Sequence, residues 1–381
     1  MPLNLNMKIY GVAGLTFILF FIVTAHPFNY EWAMDNGYND VEGYYFIAKY
    51  GFDKNASDLF KSLQLERWPI HILVGTISKI CKVDIWLIYR ILVLLFVVSA
   101  FLLIRSLKCP DINKTAIFSF LLFFPYTFRL NYAAPALLSD CALLVGFLSI
   151  AIGLLNTSTS QIITGSILSV IARQTGLLLI PIFFFLFFFK KISLRTCVLN
   201  IFMITLLFAV IKYSTLFLFK HSNDGYVLET AFGLINWFAG AFSFNELLSY
   251  AAKYIFFLLL VIPIIIITDI NVIKNNILYV AIFFFIHLQP LAAGPGIATS
   301  GNIPRLCSYS LPFLIIFIAE SSISLKSWLC YIFIVILISF HHQTSIIYFV
   351  DYGRNVFMII IFVSVLLSLI IKHLLNKKVP Q

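Results

Sequence analysis

The sequence predicts an all-helical protein that crosses a membrane about twelve times. Composition and the texture of the apolar runs carry that expectation. Hydrophobic residues fill 61% of the 381 positions and charged residues 11%, where soluble domains sit near ~45–50% and ~25%. The apolar runs are long and do not alternate, as at 9–25, 255–268 and 356–371. A chain this apolar lacks the polar side chains to face water. Lipid removes that demand if the backbone hydrogen-bonds itself within helices. Unbroken runs of this kind match spans of ~20 residues, whereas barrel strands alternate.

In chain order, a first span is expected at 8–25, followed by the longest polar segment, 26–67, and a short half-polar helix at 69–82. Further apolar stretches follow at 84–105, 115–126, 133–155, 161–172, 175–189 and 194–219. A partly polar piece at 226–244 precedes the last ones, at 250–268, 277–289, 305–319, 327–340 and 355–371. The stretch 161–189 counts as one span or as two. With no internal repeat or flexible linker, 1–381 reads as a single domain whose first outer loop, 26–83, carries interfacial helices. The first apolar run lacks a small-residue cleavage site and reads as a retained span.

Charge orients the chain. With the N-terminus cytoplasmic, Lys8, Arg105, Lys108, Lys114, Lys190, Lys191, Arg195, Lys274, Lys326, Lys372, Lys377 and Lys378 fall on one side. The acid-rich first loop falls on the other, with Arg129, Lys220 and Arg354 as exceptions. This is the positive-inside pattern, and it accounts for the net charge of +10 without a nucleic-acid partner. The six cysteines are scattered and form no C-x-x-C pair, so they read as small apolar residues rather than a redox or metal framework. The histidines show no zinc spacing, and there is no P-loop, dinucleotide fingerprint or G-x-S-x-G elbow.

Polar residues at helix ends on the outer side are the candidates for chemistry. Asp40 and Tyr44 are four apart and share a helical face, although an acid at that position also serves as a cap of an interfacial helix. Arg67-Trp68-Pro69-Ile70-His71 opens the half-polar helix, where Arg and Trp also suit a headgroup anchor. Ser139-Asp140 sits one turn into an apolar span after Pro135, and a carboxylate there needs a partner or a cavity. Arg173-Gln174 interrupts an apolar hairpin, and Arg305 opens a span after a Gly/Pro-rich loop, 294–304. Both guanidiniums offer the planar donor fork that suits a phosphate, against a bland alternative of snorkelling to the interface.

The order of these motifs resembles the GT-C class of polyprenyl-phosphate-sugar-dependent glycosyltransferases. The matching elements are Asp40-x-x-x-Tyr44-Tyr45-x-x-Ala48-x-x-Gly51, a Pro-containing helix at 67–82, and Pro135-x-x-x-Ser139-Asp140. Gly165 to Leu178, containing Arg173-Gln174-Thr175-Gly176, and Arg305-x-x-x-x-x-x-Pro312 complete the set. The resemblance covers most of the first ~180 residues and one late loop. It implies an all-helical enzyme of a bacterial inner membrane, a polyprenyl-phosphate sugar donor, and a glycan or lipid-linked acceptor. It further implies Asp40 as the catalytic base taking the acceptor hydroxyl's proton, with inversion. Asp140 is the second catalytic acid, orienting Asp40, binding acceptor or helping to hold a divalent cation. Tyr44, Tyr45, Trp68, Arg67 and Gln174 would bind substrate, and Arg173 and Arg305 would hold the phosphate. The chain departs from the class in lacking the large outer domain of oligosaccharyltransferases, and in carrying Asp140 where some relatives carry Glu. An O-antigen or capsule polymerase, and a transporter or flippase of lipid-linked sugars, are the rival readings.

Overall fold

The computed structural model describes residues 11, 14–20, 31, 39–53, 62–219, 244–293, 303–339 and 354–376. Most of the expected first span, the piece at 226–244 and most of the loop at 294–304 lie outside these residues. All regular structure among the described residues is helical. Five helices are long and apolar enough to cross a membrane: Ile85–Arg105, Pro135–Leu155, Leu194–Leu218, Phe244–Ile262 and Ile303–Glu320. Several shorter apolar helices of 10–17 residues stand beside them. At 1.5 Å per residue a 14-residue helix reaches about 21 Å, short of the ~30 Å hydrocarbon core.

Helix α1 (Asn39–Tyr50) places Asp40 and Glu42 in its first turn and Lys49 in its last, matching the helix dipole. It buries Val41, Tyr44, Ile47 and Ala48 and stops at Gly51, whose φ of +64° suits a residue without Cβ. Helix α2 (Trp68–Cys81) starts on Pro69 and ends at Lys82 in the left-handed region. It lies against α1 where Gly75 meets the Ala48 carbonyl, leaving no room for a Cβ. Helix α3 (Ile85–Arg105) is capped by Asp84, which accepts from the backbone of Trp86 at 2.9 Å and Leu87 at 3.2 Å.

Next come α4 (Asp111–Phe123), the short α5 (Phe128–Ala133), and α6 (Leu138–Leu155), entered through a 3-10 turn at Pro135–Leu137. Helix α7 (Thr159–Ala172) returns beside α6. The chain is extended at Arg173, passes a 3-10 turn at Gln174–Leu178, and continues as α8 (Leu179–Phe188). The ambiguous stretch 161–189 is therefore two short helices broken at Arg173. The second half comprises α9 (Leu194–Leu218), α10 (Phe244–Ile267), α11 (Ile277–His287), α12 (Ile303–Cys307), α13 (Leu311–Glu320), α14 (Leu325–Ser339) and α15 (Arg354–Asn376).

Helix α6 is the pillar of the bundle, buried from Leu138 to Leu154 and packed on α3, α7 and α13. Its tightest neighbour is α7. Gly146 and Gly165 face each other so closely that a Cβ on either would strike the other's carbonyl or Ser169, the small-residue contact typical of helices in lipid. The flanking helices expose apolar stripes: Leu87, Ile91, Leu95, Val98 and Leu102 on α3, and Val198, Phe202, Leu206 and Val210 on α9. Water does not tolerate exposed apolar area on this scale. The stripes are lipid-facing surfaces, and the chain is a membrane protein.

Candidate functional site

The hairpin of α6 and α7 brings the start of one helix beside the end of the other. Asp140, in the first turn of α6, thereby meets Arg173, at the end of α7, although they lie 33 positions apart in sequence. The Arg173 guanidinium donates to Asp140 Oδ1 and, at 2.6 Å, to the Tyr309 hydroxyl. Arg305, on α12, donates to Asp40 Oδ2 at 2.7 Å and places its Nε 3.2 Å from Asp140 Oδ2. That last approach has ion-pair distance without hydrogen-bond alignment, since neither atom has a hydrogen-bond partner. Arg305 thus bridges the two carboxylates, and α1 is tied across the mouth of the bundle.

Arg67, in the turn before α2, is buried and lies over the Tyr44 ring, 5.4 Å from its centroid. Its charge acts on Asp40, Asp140 and Arg173. Burial is the main reason its pKa falls to about 10, with Arg173 pushing the same way. Asp40 shows the opposite balance. Burial alone would raise its carboxyl, but the guanidiniums of Arg305 and Arg67 outweigh that and hold it well below the usual carboxylate range. The group contains three guanidiniums and two carboxylates, one positive charge in excess. Asp140, Arg67, Arg173 and Arg305 are all buried, while the Asp40 side chain is 33% exposed.

Two sets of contacts brace this cluster. Tyr44 stacks on His71 with centroids 4.3 Å apart. His71 Nδ1 lies 2.8 Å from the Tyr89 hydroxyl, which donates at 3.0 Å to the Tyr44 carbonyl. Because that hydroxyl hydrogen is committed, Nδ1 carries the His71 proton and Nε2 is left as an acceptor. On the other side Gln174 and Lys212 both donate to Glu66, tying the Arg67 turn to the Arg173 turn.

Of the residues singled out from sequence, Asp40, Asp140, Arg173 and Arg305 meet directly, with Tyr44 and Arg67 beside them and Gln174 one link away through Glu66. Tyr45 is placed differently. It sits edge-on to Trp86 with Lys49 over its ring, on the next face of α1. Trp68 packs against Phe52. Neither of these contacts reaches the cluster. Sequence reasoning missed Tyr309, Glu66, Tyr89 and Lys212, and named His71 only as part of the Arg67–His71 motif. Tyr309 follows Arg305 by four positions and His71 follows Arg67 by four, so helical spacing was a usable signal. Lys212 is a lone cation within an apolar span, itself a functional flag. The donor set suits an anion better than a divalent cation. Both carboxylates face guanidiniums that would repel a metal, and among the described residues no three His, Cys, Asp or Glu side chains gather as a ligand set.

No protein-family model, curated protein or solved structure matches this chain. Fold and site together define its class: a helical membrane protein with a buried, net-cationic cluster of arginines and aspartates at one end of its bundle.

Proposed function

We propose that this protein is an inverting membrane glycosyltransferase of about twelve spans in a bacterial inner membrane. It moves a sugar from a polyprenyl phosphate to a hydroxyl of a lipid-linked glycan or other cell-envelope acceptor on the outer, periplasmic face. The observation that carries this reading is the convergence of Arg67, Arg173 and Arg305 on Asp40 and Asp140. A lipid phosphate leaving group needs fixed cations, and an attacking hydroxyl needs a carboxylate within reach. Asp40 takes the hydroxyl proton as the oxygen bonds to the anomeric carbon. The bond from that carbon to the phosphate oxygen breaks on the opposite face, and its electron pair stays on the phosphate. Preorganised guanidiniums stabilise that developing charge without reorganising.

Buried charges of this kind are poor structural devices. A buried ion pair is often no more stabilising than apolar residues of the same volume, so their concentration at one end of the bundle favours chemistry over scaffolding. The test is reconstitution of the purified protein with polyprenyl-phosphate sugars of several types and crude lipid-linked acceptors. Transfer with inversion supports the proposal. Transbilayer movement of the lipid-linked sugar without transfer would replace it with a flippase. Cysteine labelling at Asn55 and Lys377 tests the orientation, which requires opposite sides for the two.

A further inference from the structure

The three arginines differ in how firmly their charge is held. Arg173 is bonded to Asp140, which is 3% exposed. Arg305 divides its charge between Asp140 and Asp40. The Arg67 side chain makes no ion pair or hydrogen bond among the described residues. Its Nε is buried without a partner, its guanidinium lies over the Tyr44 ring, and Asp40 and Asp140 act on it through space without bonding to it. A buried guanidinium with no directly bonded counter-charge is costly, so an anion gains most by docking there. The carboxylates differ as well. Asp40 can be rehydrated when it leaves its arginine, because its side chain is 33% exposed. Asp140 cannot.

We propose that a phosphate ester docks on Arg67 and takes Arg305 away from Asp40, while Arg173 remains on Asp140. In the ligand-free state Asp40 then acts as an internal competitor for the phosphate, and phosphate binding is what releases it. This deepens the glycosyltransferase reading and rests on it for the identity of the ester as a lipid phosphate. It also resolves a conflict within that reading, since a carboxylate held by two guanidiniums is a weak proton acceptor. Donor binding makes Asp40 a better base at the moment it is needed. The expected order is donor first, acceptor second.

The experiment measures binding to the full-length protein in detergent by calorimetry, with farnesyl phosphate, inorganic phosphate and farnesol as probes. Asp40→Asn removes the competitor, so farnesyl phosphate should bind about tenfold more tightly than to the wild type. Arg67→Ala should weaken it at least about tenfold, and Arg67→Lys should recover part of the loss, as a point charge without the fork. Tighter binding of farnesyl phosphate than of inorganic phosphate marks a lipid ester, and the reverse marks a free phosphate. Unchanged or weaker binding by Asp40→Asn overturns the exchange, as does farnesol binding as well as farnesyl phosphate. If Asp40→Asn does not fold, Asp40→Ser serves the same arm, and wild-type affinity in Arg67→Lys and Arg67→Ala overturns the proposal by itself. The two readings separate cleanly. Tightened phosphate binding with no transfer from any polyprenyl-phosphate sugar sinks the glycosyltransferase and leaves the exchange standing. Transfer without tightening does the opposite.

Discussion

The two ends of the bundle solve the problem of terminating helices in different ways. At one end, neutral amides tie the helices together. Asn113, near the start of α4, donates to the carbonyls of Ile318, Ala319 and Ser321 around the end of α13 at 2.7, 3.2 and 2.7 Å. Asn276 donates to Glu320 at 2.7 Å, and Asn156 to the Ser106 carbonyl at 3.2 Å. Arg105, Lys190 and Lys191 belong to this end, with Lys191 over the Tyr279 ring. At the other end, the same helices enclose Asp140, Arg173 and Arg305. Amides satisfy orphan carbonyls at low desolvation cost, so the fold has an inexpensive way to close a helix end and relies on it here. The charges at the opposite end carry a desolvation cost that amides avoid, and the proposed binding and exchange of a charged ligand would account for it.

This contrast can be broken in graded steps. The largest effect belongs to Asp40→Asn, which keeps shape and removes the proton acceptor. Transfer of labelled sugar in membranes at matched expression should fall ~10²–10⁴-fold, with the protein still inserted. Wild-type transfer by Asp40→Asn, with Asp140→Asn inactive, would move the base to Asp140.

Next in size is Asp140→Ala, which strands Arg173 and half-strands Arg305 in the interior. Loss of one partner of a buried pair costs about 3–5 kcal/mol, read as a drop in thermal midpoint in detergent. At the amide end, Asn113→Ala leaves orphan carbonyls without leaving a charge, at about 1–3 kcal/mol. If Asn113→Ala proves the more damaging of the two, Arg173 and Arg305 are not stranded in a dry interior without Asp140, and the contrast between the two ends fails.

A smaller effect follows from acidity. The folded-state pKa of Asp40 is depressed, so its contribution to stability is present above the unfolded value of about 4 and is lost as pH falls through the lower folded value. Between pH 7 and 4 the wild type keeps that contribution. Arg305→Gln removes the principal opposing cation and leaves burial opposed only by Arg67 and Arg173, so the carboxyl titrates at higher pH than in the wild type. The thermal midpoint of Arg305→Gln should therefore decline earlier on acidification than that of the wild type, and parallel curves would refute the assignment. Smallest of all, Glu42→Gln, two residues from Asp40 on the next face of α1, should change transfer less than about twofold, since surface substitutions of this kind sit near ±0.5 kcal/mol.

Much of this was legible in the residues alone. The apolar composition and unbroken runs dictate helices in lipid, because backbone groups in hydrocarbon must be satisfied within their own segment. Helical spacing ties Asp40 to Tyr44, and the cost of a charge in an apolar run marks Asp140 and Arg173 as special. Sequence placed most helix breaks to within a few residues, but not how those breaks are built. The residues give no sign of the 3-10 entry at Pro135–Leu137 or of the 3-10 turn that follows Arg173 at Gln174–Leu178. Nor could it pair partners, since Arg305 and Asp40 lie 265 positions apart and no local spacing reports a contact of that range. Tertiary structure alone decided that Arg173 holds Asp140, that Arg305 bridges both carboxylates, that Tyr45 faces Trp86, and that the Arg67 side chain has no bonded counter-charge among the described residues. The physical reason is that composition fixes which residues must leave water, whereas the antiparallel packing of α6 on α7, set by the close contact of Gly146 and Gly165, fixes which buried charges meet.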